Sequence, residues 1–195
     1  QILSIHKCVD KIDRLEWSHD SKIMLVACTA RRTAHVAAAH QPDWHCKIDE
    51  GPLGLAHARL APDGRHVLTV AEAKMRLTIW SLLDRSVRFI RCPKHTDAGL
   101  AFSPDGAQMV LAHRADGHDE LRFYVCDDGS FGVVRAFEVA SDDLADVRWS
   151  PSADALCVLD GLLSPQVLLY TSEGAHIATH RLPDAATCDG LGTGL

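Results

Sequence analysis

Four segments of the chain superpose in register: LEWSHDSKIMLVA from Leu15, ARLAPDGRHVLTVA from Ala58, LAFSPDGAQMVLA from Leu100 and VRWSPSADALCVL from Val147. With Ser18, Ala61, Ser103 and Ser150 as equivalent anchors, the spacings are 43, 42 and 47 residues. A period of about 40–45 residues constrains the fold strongly, because each unit is then one small structure that buries its apolar face only against its neighbours. Four short strands per unit at that period is the pattern of a β-propeller blade.

The rest of each unit fits. About twenty residues after each anchor comes a third apolar run: HVAAA at His35, LTIWSL at Leu77, LRFYVC at Leu121 and VLLYTS at Val167. A fourth follows, as WHCKID from Trp44, SVRFIRC from Ser86, GVVRAFEV from Gly132 and AHIATHRL from Ala175. The SPDG-like corners between first and second strands supply residues that pre-set φ or tolerate positive φ, as tight hairpin turns require. These runs are short, rich in β-branched and aromatic residues and closed by turn residues, so a helical reading fails and a two-sheet sandwich is the main structural rival. The chain therefore reads as all-β, a partial WD40-type β-propeller. Its blades fall at about 10–50, 51–93, 94–140 and 141–183, residues 1–9 form the outer strand of a preceding blade, and 184–195 form a flexible Gly-rich tail.

Composition narrows the function. The 195 residues are 47% hydrophobic and 24% charged, and the longest apolar runs, such as Met24 to Ala27, fall far short of the roughly 18 residues of a membrane span. No membrane is expected as a partner. A net charge of -6 with basic residues scattered singly argues against nucleic acid. Seven cysteines at positions 8, 28, 46, 92, 126, 157 and 188, without a CxxC pair, favour a reducing, cytoplasmic compartment. The chain begins at Gln1 rather than Met, as an internal piece or a processed product would.

The densest collection of reactive side chains is QPDWHCKIDEG, Gln41 to Gly51. Strand alternation places Trp44, Cys46 and Ile48 on one face and His45, Lys47 and Asp49 on the other, so His45 and Cys46 do not converge on a metal. Trp44, Cys46 and Ile48 are expected to pack between blades. His45, Lys47, Asp49 and Glu50 form a free face open to a protein partner.

This block, with the preceding IDRLEWSHDSKIML and the following APDGRHVLTVAEAKMRLTIWSL, closely resembles the WD repeat-containing protein eight family, WD-repeat proteins of centrosomes and spindle poles. The similarity runs from about Lys7 to Leu182 and keeps all four units in order. It implies a non-catalytic scaffold that works with a coiled-coil anchoring protein, and in some lineages a minus-end-directed kinesin, to tether microtubule minus ends at the centrosome, spindle pole or basal body. Three departures stand out. Ala37 replaces the ring that Trp80, Tyr124 and Tyr170 supply elsewhere, which leaves open whether the strand at 35–40 pairs and predicts looser packing there. The tail from Asp184 does not open a fifth blade, although four are fewer than this family's ring holds. The GH and WD dipeptides are missing from their usual places, since Gly117-His118 lies in the loop between second and third strands and Trp80 is followed by Ser81, which argues against the usual buried polar network closing the blades.

No catalytic constellation emerges. His35, His40 and His45 recur every five residues, a spacing that matches no single face. ADGHDE from Ala115 to Glu120 reads as a long solvated loop, and GLGTGL lacks the strand, helix and Lys of a phosphate loop. Cys28, Cys46, Cys126 and Cys157 read as small core residues. No cofactor, metal or small-molecule substrate is expected. Recognition is assigned to the connections between second and third strands and between blades, which gather on one face of a propeller. Arg31, Arg32, Lys74, Arg76, Lys94, His95, Arg114, His118 and Asp119 fall there, a mixed-sign surface suited to a peptide or coiled-coil segment. The alternative is a propeller that accompanies a hydrolase or the translation machinery.

Overall fold

A computed structural model of the chain describes residues 5, 11–126, 129–161 and 165–181. The outer strand expected over 1–9, Ile5 apart, and the tail over 184–195 lie outside the described residues. Within them, sixteen strands form four four-stranded sheets, each a simple antiparallel meander. The first holds β1 (Arg14–Trp17), β2 (Ile23–Cys28), β3 (Thr33–Ala38) and β4 (His45–Asp49). The second holds β5 (Leu55–Leu60), β6 (His66–Ala71), β7 (Arg76–Ser81) and β8 (Val87–Arg91). The third holds β9 (Leu100–Phe102), β10 (Gln108–Ala115), β11 (His118–Val125) and β12 (Val133–Val139), and the fourth β13 (Leu144–Trp149), β14 (Ala155–Asp160), β15 (Gln166–Thr171) and β16 (His176–Arg181). The strand at 35–40 does pair: Thr33–Ala38 is hydrogen-bonded to both β2 and β4, because a ladder needs backbone groups and not the ring that Ala37 lacks.

The corners show why the repeat is legible. Ser18 Oγ donates to Asp20 at 2.7 Å and accepts from the Ile23 amide at 2.9 Å. Ser103 does the same with Asp105 and Gln108, and Ser150 with Asp154 and Ala155. Three residues after the anchor the chain takes positive φ in every blade, at Ser21, Gly64, Gly106 and Ala153. Where Ala61 has no hydroxyl, Asp63 instead accepts from the Arg65 and His66 amides and from His66 Nδ1 at 2.5 Å.

Each pair of adjacent blades shares one apolar cluster. Leu25, Ala27, Val36 and Ile48 meet Leu55, Ala58, Leu60 and Val67; Leu68, Val70 and Ile79 meet Leu100, Met109 and Tyr124; Val110, Leu121 and Phe123 meet Leu144, Leu156 and Tyr170. Equivalent positions therefore carry equivalent loads, and the two outermost faces break the rule. Leu15 is 55% exposed, whereas its equivalents Ala58, Leu100 and Val147 are 1%, 8% and 0% exposed. Trp17 is 51% exposed, while Leu60, Phe102 and Trp149 pack against the preceding blade. On the far flank Leu159 is 39% exposed against 2%, 4% and 1% for Ala27, Val70 and Ala112. Among the described residues, both flanks carry blade-packing side chains with no blade on them.

At about 25 cal/mol per Å² of apolar area, such faces favour association. The 195-residue chain alone is expected to sediment as concentration-dependent oligomers, and Leu15→Asp together with Leu159→Asp to shift it toward monomer. A monomeric profile for the unmodified chain would count against the account.

Candidate protein-interaction surface

Alternation in β4 stands: Trp44 and Cys46 are half-buried, Ile48 is buried, and His45, Lys47 and Asp49 are exposed. Their register adds what the sequence did not show. His45 lies opposite Ala37, Lys47 opposite His35 and Asp49 opposite Thr33, all on the face turned away from the second blade. The strip thus borders the open flank that holds Leu15 and Trp17. Lys47 Nζ stands 3.2 Å from Asp49, whose other oxygen accepts the Gly51 amide at 2.8 Å; that backbone hydrogen bond, with Lys47, holds the Asp49 carboxyl below the usual range.

Glu50 is a correction. It is not on the free face but 3% exposed, because the strand ends at Asp49 and the 3-10 turn Gly51–Leu53 swings its side chain into the second blade. There Thr69 Oγ1 donates to Glu50 Oε1 and accepts from Trp80 Nε1 at 2.7 Å, while Arg76 Nη2 donates to Glu50 Oε2 at 3.0 Å. The Arg76 guanidinium also lies 4.6 Å from the centre of the Phe89 ring. A buried polar network thus closes the second blade without a GH or WD dipeptide, contrary to expectation. A lesser counterpart occurs in the third, where His113 Nε2 lies 3.1 Å from Tyr124 Oη. Burial pulls the His113 pKa down to about 4 and pushes that of Tyr124 up to about 12, so both are neutral near pH 7.

ADGHDE is also corrected. Asp116 and Gly117, with φ of 50° and 86°, make a two-residue turn between β10 and β11, the Asp-Gly hairpin signal. His118, Asp119 and Glu120 are strand residues, and Asp119 is 1% exposed. Its Oδ2 accepts from Lys94 Nζ at 2.8 Å, Ser141 Oγ at 2.9 Å and the Leu144 amide at 2.6 Å, pinning the fourth blade to the third. Lys94 Nζ also reaches Asp143 at 2.8 Å, and this hydrogen bond is the chief cause of the lowered Asp143 pKa. Lys94 is therefore an internal cation and Arg76, half-buried, is committed to Glu50 and the Phe89 ring, so neither is a free contact. His95 Nε2 donates to Leu144 O at 2.7 Å and is likewise a structural tie.

The connections do share one face, as Arg32 Nε meets Glu72 at 3.3 Å across the first two blades and Arg114 meets Asp143 at 3.2 Å across the last two. Between the second and third blades this face opens into a notch of about 490 Å³, lined by Lys74, Cys92, Lys94, His95, Arg114 and Asp143. Four predicted residues meet there: Lys74, exposed, and Arg114, part-exposed, at the mouth, Lys94 and His95 in the wall. Arg31 and Arg32 sit apart, exposed on the turn after β2.

Comparison with known proteins agrees with this architecture. No family model matches the chain. It is 39% identical over 180 residues to WD repeat-containing protein WRAP73 of Mus musculus, which spans 92% of this chain and 38% of that protein. It is 24% identical over 137 residues to the uncharacterized WD repeat-containing protein C32H8.09 of Schizosaccharomyces pombe, spanning 69% and 28%. The chain thus spans under two fifths of the length of these relatives. Among solved structures, a eukaryotic initiation factor superposes with a TM-score of 0.68 at 14% identity, covering 89% of this chain and 43% of that one. The Dos1 propeller gives 0.62 at 12%, covering 90% and 49%, and Kuenenia stuttgartiensis hydrazine synthase 0.65 at 14%, covering 92% and 53%. Such low identities show the fold alone, a WD40-type β-propeller.

Truncating a buried carboxylate strands its donors, so Glu50→Ala is expected to destabilise the full-length protein by about 2–3 kcal/mol. Lys47→Ala, at the surface, should stay within about 0.5 kcal/mol. Urea unfolding of the two variants checks the contrast.

Proposed function

We propose that the chain is the propeller part of a non-catalytic WD-repeat scaffold that binds a coiled-coil anchoring protein and helps tether microtubule minus ends at the centrosome, spindle pole or basal body. The observation that carries this reading is the QPDWHCKIDEG-centred resemblance, supported by 39% identity to a WD repeat-containing protein along 92% of the chain. The surface chemistry suits the role. The seam between blades two and three presents Lys74 and Arg114 on a rigid base, with Lys94 already neutralised beneath them. A coiled coil with acidic residues outside its seam offers the complementary charge. The Arg31 and Arg32 turn extends the same face, so a rod-like partner meets cations from more than one blade. A minus-end-directed kinesin joins as a second partner. The propeller likeness to an initiation factor carries no role in translation, since only the fold is shared.

Affinity capture of the tagged full-length protein from dividing cells tests this. A coiled-coil centrosomal protein should copurify, and Lys74→Glu with Arg114→Glu should cut its recovery about tenfold, or ~1.4 kcal/mol. Recovery of ribosomes, of a hydrolase or of nothing would remove the assignment.

A further inference from the structure

The opposite face of the propeller has its own cavity. The first strands of the blades lie side by side, β1 beside β5 and β9 beside β13, and with their corners enclose about 470 Å³. Trp17, Ser18 and the corner prolines Pro62, Pro104 and Pro151 form its mouth. Two residues before each corner anchor, the four blades contribute Glu16, Arg59, Ala101 and Arg148 to its wall.

Three of these are accounted for. Glu16 accepts the Leu60 amide at 3.3 Å and lies 3.7 Å from Arg14; Arg148 pairs with Asp146 at 2.7 Å; Ala101 is buried in the cluster between the third and fourth blades. Arg59 is not. Among the described residues no carboxylate comes within ion-pair distance of it. Its guanidinium spends one donor on Leu100 O at 3.2 Å, lies 5.4 Å from the centre of the Phe102 ring, and keeps its Nε–H buried without an acceptor. Trp149, in the same cavity wall, also buries its Nε1–H without an acceptor. Burial is the chief cause that depresses the Arg59 pKa, and of the charges around it Glu16 and Asp146 act against Arg14 and Arg148. His57 adds none, because burial, with Arg14 and Arg59, holds its pKa at about 4. Half-buried guanidinium donors without partners are costly.

We propose that this cavity is an anion site that receives a carboxylate side chain of an acidic peptide segment, with Arg59 as the anchor and Arg148 as the second charge. A planar carboxylate matches the guanidinium fork and takes up donors that Arg59 leaves unused. A peptide fits better than a free small anion because the mouth is broad and walled by the corner prolines, surfaces that grip a chain flanking the acid. The site lies on the face opposite the notch and does not depend on the function proposed above.

Fluorescence anisotropy of labelled hexaglutamate against the full-length protein tests the proposal. Hexaglutamate is expected to bind, more weakly as salt rises, and hexalysine not to bind. Arg59→Met, which keeps the aliphatic stem, should weaken binding about tenfold, and Arg148→Met about threefold. Arg88→Met, at an exposed arginine of the outer strand β8, should leave it unchanged. Circular dichroism and melting show whether each variant folds; if Arg59→Met does not, Arg148→Met decides, its side chain being 69% exposed. Equal binding of the two hexapeptides, unchanged affinity in the folded Arg59 and Arg148 variants, or an equal loss in Arg88→Met would overturn it.

Discussion

The packing of one blade's apolar face on the next is the interaction on which the rest of this structure depends. A single four-stranded meander has two faces and too little area to hold itself together in water. Here the two middle blades have both faces covered, and their equivalent positions Val67 and Met109 are each 0% exposed, as is Leu156 on the covered face of the fourth blade. The polar ties are placed on top of that packing. Glu16 to the Leu60 amide, Arg59 to Leu100 O and His95 to Leu144 O each run from one blade to the next and fix the angle at which the faces meet. The flank faces with Leu15, Trp17 and Leu159 are the same surfaces without a neighbour among the described residues.

That constraint changes the meaning of the surface charges. A cation near a blade seam is drawn into holding the seam, as Arg76 is by Glu50 and Lys94 by Asp119 and Asp143. What remains for a partner is the charge at the outer edge of each tie, and Lys74 and Arg114 are of that kind. The strip His45, Lys47 and Asp49 takes on a different character too, since it borders the open flank, where a further blade would face it, and not a solvent-facing rim alone.

Much of the fold was legible because it is written several times over. The corner hydroxyl and carboxylate recur as hydrogen-bonded pairs, and the alternation at Trp44, Cys46 and Ile48 follows from strand geometry alone. Site residues were harder, for two physical reasons. Alternation stops where a strand stops, so it could not tell that Glu50 turns inward one residue after Asp49. Long-range pairing leaves no local trace, so nothing near Asp119 announces Lys94, 25 residues earlier in the chain. The Asp116–Gly117 turn was different: its dipeptide was a hairpin signal, outweighed by the run of charges around it. Arg59 gave no sign either, as an arginine in a strand reads the same with or without a carboxylate beside it.

The scaffold reading and the anion site at Arg59 both require a rigid ring sector whose flanks are covered in the native protein. A crystal structure of the full-length protein tests this most directly. The account requires Leu15 and Trp17 on one flank, and Leu159 on the other, to be buried against further strand faces as their equivalents Val147, Trp149 and Ala112 are. Finding those side chains in solvent, with the four sheets ordered and intact, would contradict it.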